Sequence, residues 1–166
     1  LGIWVQGCRK RCPGCTAPGL LKFQEPREPI DTLVDRLLSI ENWTGLTISG
    51  GEPFEQAAGL AQLIQKLRLH KPQLDVLIYS GFDYGELVQW PQAKTLLSVI
   101  DGLIDGEYVD TLHRNFLWFG GSENQTFRAL SFRSRLWADQ AQLMCDEINN
   151  RYEDVVYQLI RTYEFG

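Results

Sequence analysis

No apolar run in the 166 residues approaches the roughly 20 needed to cross a bilayer, and no secretory leader pattern opens the chain. No membrane partner is therefore expected. Basic charge is scarce: 16 Lys and Arg against 21 Asp and Glu leave a net charge of −5. A nucleic-acid partner would need a local basic patch that these totals do not show, and none is expected. Internal repeats, low-complexity tracts and linkers are absent. Cysteine is limited to four residues, three of them bunched. That is no secreted disulfide framework; it fits a reducing cytoplasm, where clustered cysteines usually bind metal. Hydrophobic residues at 44% and charged residues at 22% suit one soluble domain over 1–166 with a substantial core. The chain opens at Leu1 with Gly2-Ile3-Trp4-Val5 already reading as a strand, so further residues are expected upstream.

What is present is concentrated. Cys8, Cys12 and Cys15 are spaced C-x3-C-x2-C, ending in Cys12-Pro13-Gly14-Cys15. Three thiolates on one loop can hold three corners of a cubane iron–sulfur cluster and leave the fourth iron open. An open iron can bind a substrate or cofactor, whereas a fully ligated cluster only passes electrons. Two other readings use the same residues. A structural zinc site needs four ligands, so Cys145, His70 or His113 would have to supply the last. Cys12 and Cys15 also form a C-x2-C of the dithiol redox kind, although that leaves Cys8 unused. Cys145, beside Met144 in a helical stripe, reads as a small hydrophobe. Arg9-Lys10-Arg11 reads as a solvated loop or, in an acidic protein, as a basic edge that docks an acidic electron donor.

Strand and helix signals alternate. Strands are predicted at Ile3 to Val5, Gly45 to Ser49, Asp75 to Tyr79 and Val99 to Asp105, the last interrupted by Gly102. Helices are predicted over Ile30 to Ile40, Phe54 to Leu69, and Asp83 to Ser98 with an interruption at Pro91. Phe116 to Phe119 and Thr126 to Phe132 are further strand candidates, and a helical extension is predicted over 136–166. Strands separated by amphipathic helices imply parallel pairing, with the ligand site at the carboxyl ends of the strands. Cys8, Gly50-Gly51-Glu52, Ser80-Gly81 and Asp105 all fall at those ends.

Gly50-Gly51-Glu52-Pro53 is the second specific signal. Adjacent glycines let a ligand approach the backbone closely, and Glu52 offers an acceptor to an ammonium group. Beside an open iron, this suits an amino acid that chelates the metal through its amino and carboxylate groups.

With both motifs in view, the chain resembles the radical S-adenosylmethionine superfamily. Within it, the likeness is to the activating-enzyme family of anaerobic ribonucleotide reductase. The likeness includes Tyr79-Ser80-Gly81-Phe82, Ile104-Asp105-Gly106 and Gly121-Ser122-Glu123-Asn124-Gln125, and covers about residues 1 to 130. A segment that this family carries before its first strand is absent here. The resemblance implies an α/β fold, a partial open (β/α) barrel of mostly parallel strands with a C-terminal helix. It implies a [4Fe–4S] cluster held by Cys8, Cys12 and Cys15, and S-adenosylmethionine bound by Gly50, Gly51 and Glu52, with Ser80 near the ribose. Asp105, Ser122, Asn124 and Gln125 would line the same mouth, with Asp105 as candidate catalytic residue. The implied activity is hydrogen abstraction from a glycine of a glycyl-radical enzyme, the anaerobic ribonucleotide reductase, with a flavodoxin-like or ferredoxin reductant. The alternatives are a small radical enzyme acting on a peptide or a deazapurine-type molecule, and an electron-transfer iron–sulfur module, which would need four protein ligands.

Overall fold

Alternating side chains sort the strands into two faces. Val5, Leu46, Ile48, Val76, Ile78 and Leu103 belong to the buried core, whereas Thr47, Ser49, Leu77 and Tyr79 are only half-buried. The computed structural model describes residues 1–25, 28–113, 120–136 and 139. Its strands are β1 (Gly2–Val5), β2 (Gly45–Gly50), β3 (Asp75–Tyr79), β4 (Gly102–Asp105) and β5 (Thr126–Ala129). They form one open sheet in the order β1-β2-β3-β4-β5. The first four run parallel and β5 pairs antiparallel with β4, Ile104 opposite Phe127. The expected α/β class with mostly parallel strands is what forms.

The strand order equals the chain order, so each right-handed crossover returns to the same side of the sheet. The helices α1 (Ile30–Leu38), α2 (Ala57–His70), α3 (Tyr84–Leu87) and α4 (Pro91–Leu97) supply those crossovers. The central helix α2 packs between α1 and α4, burying Leu60, Leu63, Ile64 and Leu67. Trp4, on the other face of β1, stays 66% exposed. Among the described residues, no helix is long and apolar enough to cross a membrane.

Several element ends differ from the sequence reading, each for a local reason. The helix predicted from Phe54 begins as a 3-10 turn, Pro53–Gln56, because the Glu52 carboxylate accepts from Phe54 N at 3.0 Å. The helix predicted over Asp83 to Ser98 is two helices. Pro91 starts the second because its missing N–H costs nothing in a first turn. The strand predicted from Val99 begins only at Gly102, because Asp101 is taken up by a junction. Its buried carboxylate accepts from Arg68 Nη2 at 2.7 Å, Val76 N at 2.9 Å and Arg133 Nη2 at 3.3 Å. Its carbonyl accepts from Leu130 N at 2.7 Å and Ser131 N at 3.2 Å, which ends β5 at Ala129 instead of Phe132. Residues 132–136 are helical. The strand candidate at 116–119, Cys145 and nearly all of the helical extension predicted over 136–166 lie outside the described residues.

Candidate functional site

The carboxyl ends of the parallel strands converge on one opening. A cavity of about 220 Å³ lies there, lined by Cys8, Cys12 and Cys15 from the loop after β1 and by Gly50, Gly51 and Glu52 after β2. Tyr79, Ser80 and Gly81 from the end of β3 also line it, as do Lys10, Tyr108 and Gln125.

The cysteine loop is held by backbone bonds. Gly7 N donates to Leu20 O at 2.8 Å, Cys8 N to Leu21 O at 3.0 Å, and Cys15 N to Cys12 O at 3.2 Å. All three thiols are free, Cys8 buried and the other two half-buried. Burial first, and then the Glu107 carboxyl beside it, push the Cys12 thiol up to about 11. Loading a metal there must therefore expel a proton that the empty loop holds tightly. Among the described residues, no three Cys, His, Asp or Glu side chains converge on a point where one ion could sit. A cubane takes each thiolate on a different iron, so thiols spread around one cavity suit it. His70 closes α2 and so lies toward the opposite end of the sheet, and His113 Nδ1 sits 2.8 Å from Gly121 O.

The paired glycines serve the chain's own crossing. Gly50 has φ +104, and a Cβ there would lie 2.5 Å from Val5 O; one on Gly51 would lie 2.4 Å from Gly7 O. The missing side chains let Gly51 N donate to Val5 O at 2.7 Å and Glu52 N to Gly7 O at 2.8 Å. The end of β2 is thereby stitched to the start of the cysteine loop.

Glu52 is 1% exposed. Its Oε1 accepts from Phe54 N and Ser80 Oγ, each at 3.0 Å, and its Oε2 from Gly81 N at 2.8 Å. Burial outweighs these three donors and raises its carboxyl from 4.5 to about 7. Folding therefore favours the protonated form. The stability this contributes to the empty protein is fully present below pH 4.5 and is lost as pH rises through about 7. Thermal melts of metal-free protein should show that decline, and Glu52→Gln should flatten it.

The remaining expected residues divide. Gln125 lines the cavity, its Oε1 accepting from Gly121 N at 2.6 Å and its Nε2 donating to Gly106 O at 2.9 Å. Ser122 Oγ accepts from Val109 N at 3.2 Å, and Asn124 Nδ2 donates to Glu107 O at 2.7 Å; both brace the wall without lining it. Asp105 is buried behind the cavity, accepting from Tyr84 N at 2.8 Å and Arg128 Nε at 2.6 Å. Lys10, Tyr79 and Tyr108 line the cavity although sequence reasoning gave none of them a role there. Lys10 had a readable signal, a cation between two thiols of the triad.

Residues 1–128 match the family described as "4Fe-4S single cluster domain". The chain belongs to that family. Among curated proteins it is similar to the anaerobic ribonucleoside-triphosphate reductase-activating protein of Vibrio cholerae, 28% identical over 130 residues, 74% of this chain and 83% of the relative. The protein of that name from Escherichia coli K12 is 26% identical over 135 residues, 77% of this chain and 86% of the relative. That of Enterobacteria phage T4 is 26% identical over 142 residues, 82% of each. No solved structure matches. These findings bear out the radical S-adenosylmethionine resemblance: this 4Fe-4S single cluster protein is an enzyme of that type, with a [4Fe–4S] cluster and S-adenosylmethionine as its cofactors. The donor set agrees, since three thiols and a buried carboxylate share one cavity.

Proposed function

We propose that this enzyme generates a glycyl radical on an anaerobic ribonucleoside-triphosphate reductase in the cytoplasm. One observation supports this most. The cavity of about 220 Å³ that gathers the three thiols and Glu52 is open to solvent at the carboxyl ends of the parallel strands. An open mouth of this kind suits a substrate that comes from outside and closes over the bound cofactor itself. A glycine-bearing loop of a large partner meets that need, because glycine has no side chain to block close approach.

Cys8, Cys12 and Cys15 are the residues to hold the cluster, with Glu52 as acceptor for the methionine ammonium and Ser80 and Gln125 as neighbours of the bound cofactor. A [4Fe–4S] cluster held by Cys8, Cys12 and Cys15 would supply one-electron reduction to S-adenosylmethionine bound beside it. The chain's own residues orient the cofactor and keep water away. Glu52 must be ionised to accept an ammonium, so cofactor affinity should rise with pH through about 7. A flavodoxin-like or ferredoxin donor would approach the cysteine loop. Arg9 is paired with Glu55 and Lys10 faces the cavity, so Arg11 is the exposed cation of Arg9-Lys10-Arg11 without a role in either.

The test mixes reduced enzyme, S-adenosylmethionine and the anaerobic reductase from the same source. A glycyl-radical doublet on the reductase and 5′-deoxyadenosine are expected. With the reductase glycine deuterated at Cα, deuterium should enter the deoxyadenosine. Deoxyadenosine formed only with a peptide or a deazapurine-type molecule, and without that deuterium, would reject the activase reading.

A further inference from the structure

Cys12 and Cys15 are joined by a turn as well as by spacing. Cys15 N donates to Cys12 O at 3.2 Å across Pro13 and Gly14, and Gly14 has φ +71. Proline in the second place and a positive-φ glycine in the third are the marks of a type II β-turn. The turn is seated against its neighbours. A Cβ on Gly14 would lie 2.7 Å from Asp110 Cβ, and Asp110 Oδ1 accepts from the Tyr108 hydroxyl at 3.0 Å. A β-turn keeps the Cα atoms of its first and fourth residues within about 7 Å, and disulfides span Cα separations of roughly 4.4–6.8 Å. The fold therefore holds Cys12 and Cys15 at bridging separation.

Cys8 is placed differently. Its N–H is spent on Leu21 O at 3.0 Å, and the residue is 8% exposed, whereas Cys12 and Cys15 are half-buried. Arg11, at φ +54, turns the chain between Cys8 and the turn. An oxidant arriving from solvent meets the turn pair before it meets Cys8. A thiol that oxidises alone climbs to sulfinic and sulfonic acids, which are not readily reversed, whereas one with a partner in range is diverted into a disulfide. A bridged sulfur is no longer a thiolate, so a closed pair cannot hold iron.

We infer that Cys12 and Cys15 are an oxidative modification site: in the cluster-free protein they close into a disulfide that shields both sulfurs and bars cluster loading until a dithiol reopens it. The oxidant is a low-molecular-weight disulfide of the glutathione type. One thiolate attacks it and releases one glutathione, and the second thiolate then displaces the other. One S–S bond breaks and one forms. The two electrons given up by the cysteines reduce the small disulfide, and their two protons leave on the two thiols released. A dithiol reductant runs the exchange backwards. The inference rests on the assignment of the cysteine triad to the cluster and adds redox control of its loading.

The test incubates metal-free and anaerobically reconstituted protein with oxidised glutathione in the absence of oxygen. Remaining thiols are then alkylated in denaturant and the chain is cut with trypsin. Cleavage after Arg11 and Lys22 puts Cys12 and Cys15 on one peptide, 12–22, and leaves Cys8 on another, so mass spectrometry separates the pairings. In metal-free protein the 12–22 peptide should be two hydrogens lighter than its reduced form, and dithiothreitol should restore it. Cys8→Ser should close the same bridge. In urea, where the turn is lost, pairings that include Cys8 should appear as well. A bridge to Cys8 in the folded protein, glutathione adducts on Cys12 and Cys15 in place of the bridge, or the same mixture with and without urea overturns the inference. A bridge formed in reconstituted protein that keeps all its iron would instead reject the cluster assignment on which the inference rests.

Discussion

Alanine at Cys8, Cys12 or Cys15 is expected to take the reconstituted protein from about four irons per chain to almost none. The effect should be all-or-none because the loop has no spare ligand. Among the described residues, no fourth cysteine and no histidine lines the cavity with the three thiols. The three positions are also fixed by different bonds. Cys8 is anchored through its N–H to Leu21 O, and Cys15 through its N–H to Cys12 O, so a vacant corner cannot be filled by sliding the loop. Cys145→Ala should leave iron content unchanged. The measurement is iron and sulfide content with the brown absorbance of the cluster, on variants whose far-ultraviolet circular dichroism matches wild type. Stoichiometric zinc in place of iron, or dependence on Cys145, would overturn the assignment of the triad.

The chemistry of the site was more legible than its mechanics. Cysteine spacing is local, so Cys8, Cys12 and Cys15 can be read as one ligand set without knowing the fold. β3 was legible to the residue because Val76 and Ile78 alternate with half-buried neighbours between Pro72 and Gly81. The start of β4 was not. Val99 and Ile100 have the composition of a strand, and what removes them is the engagement of Asp101 by Arg68 and Arg133, residues 33 and 32 positions away. Asp105 reads as a mouth residue from its place after a strand. Only the packing shows its carboxylate turned to Tyr84 N and Arg128. Lys10 was passed over for a related reason. A lysine flanked by two arginines looks solvated until Phe82 and Gly81, more than 70 positions on, are folded against it.

Gly51→Ala is expected to damage stability and iron loading together. Sequence reasoning assigned the glycine pair to ligand approach, whereas the geometry gives it a prior task. The added Cβ would lie 2.4 Å from Gly7 O and 2.9 Å from both Gly7 N and Gly7 C. These are backbone atoms, which no rotamer change can move aside. Relief requires β2 to part from the start of the cysteine loop, breaking the bonds from Gly51 N to Val5 O and from Glu52 N to Gly7 O. Overpacking of this kind costs about 1–3 kcal/mol. Gly50→Ala adds backbone strain of about 1–3 kcal/mol to a similar clash, because its φ of +104 is a conformation that alanine rarely adopts. Against a total stability of about 5–15 kcal/mol, either variant should shift the urea midpoint visibly. Gly85→Ala is the control. It sits in α3 with nothing within 4 Å of the added carbon, and should stabilise by about 0.4–1 kcal/mol. If Gly51→Ala matched that control in both midpoint and iron content, the stitch between the end of β2 and the cysteine loop would not be what holds the two halves of the site together.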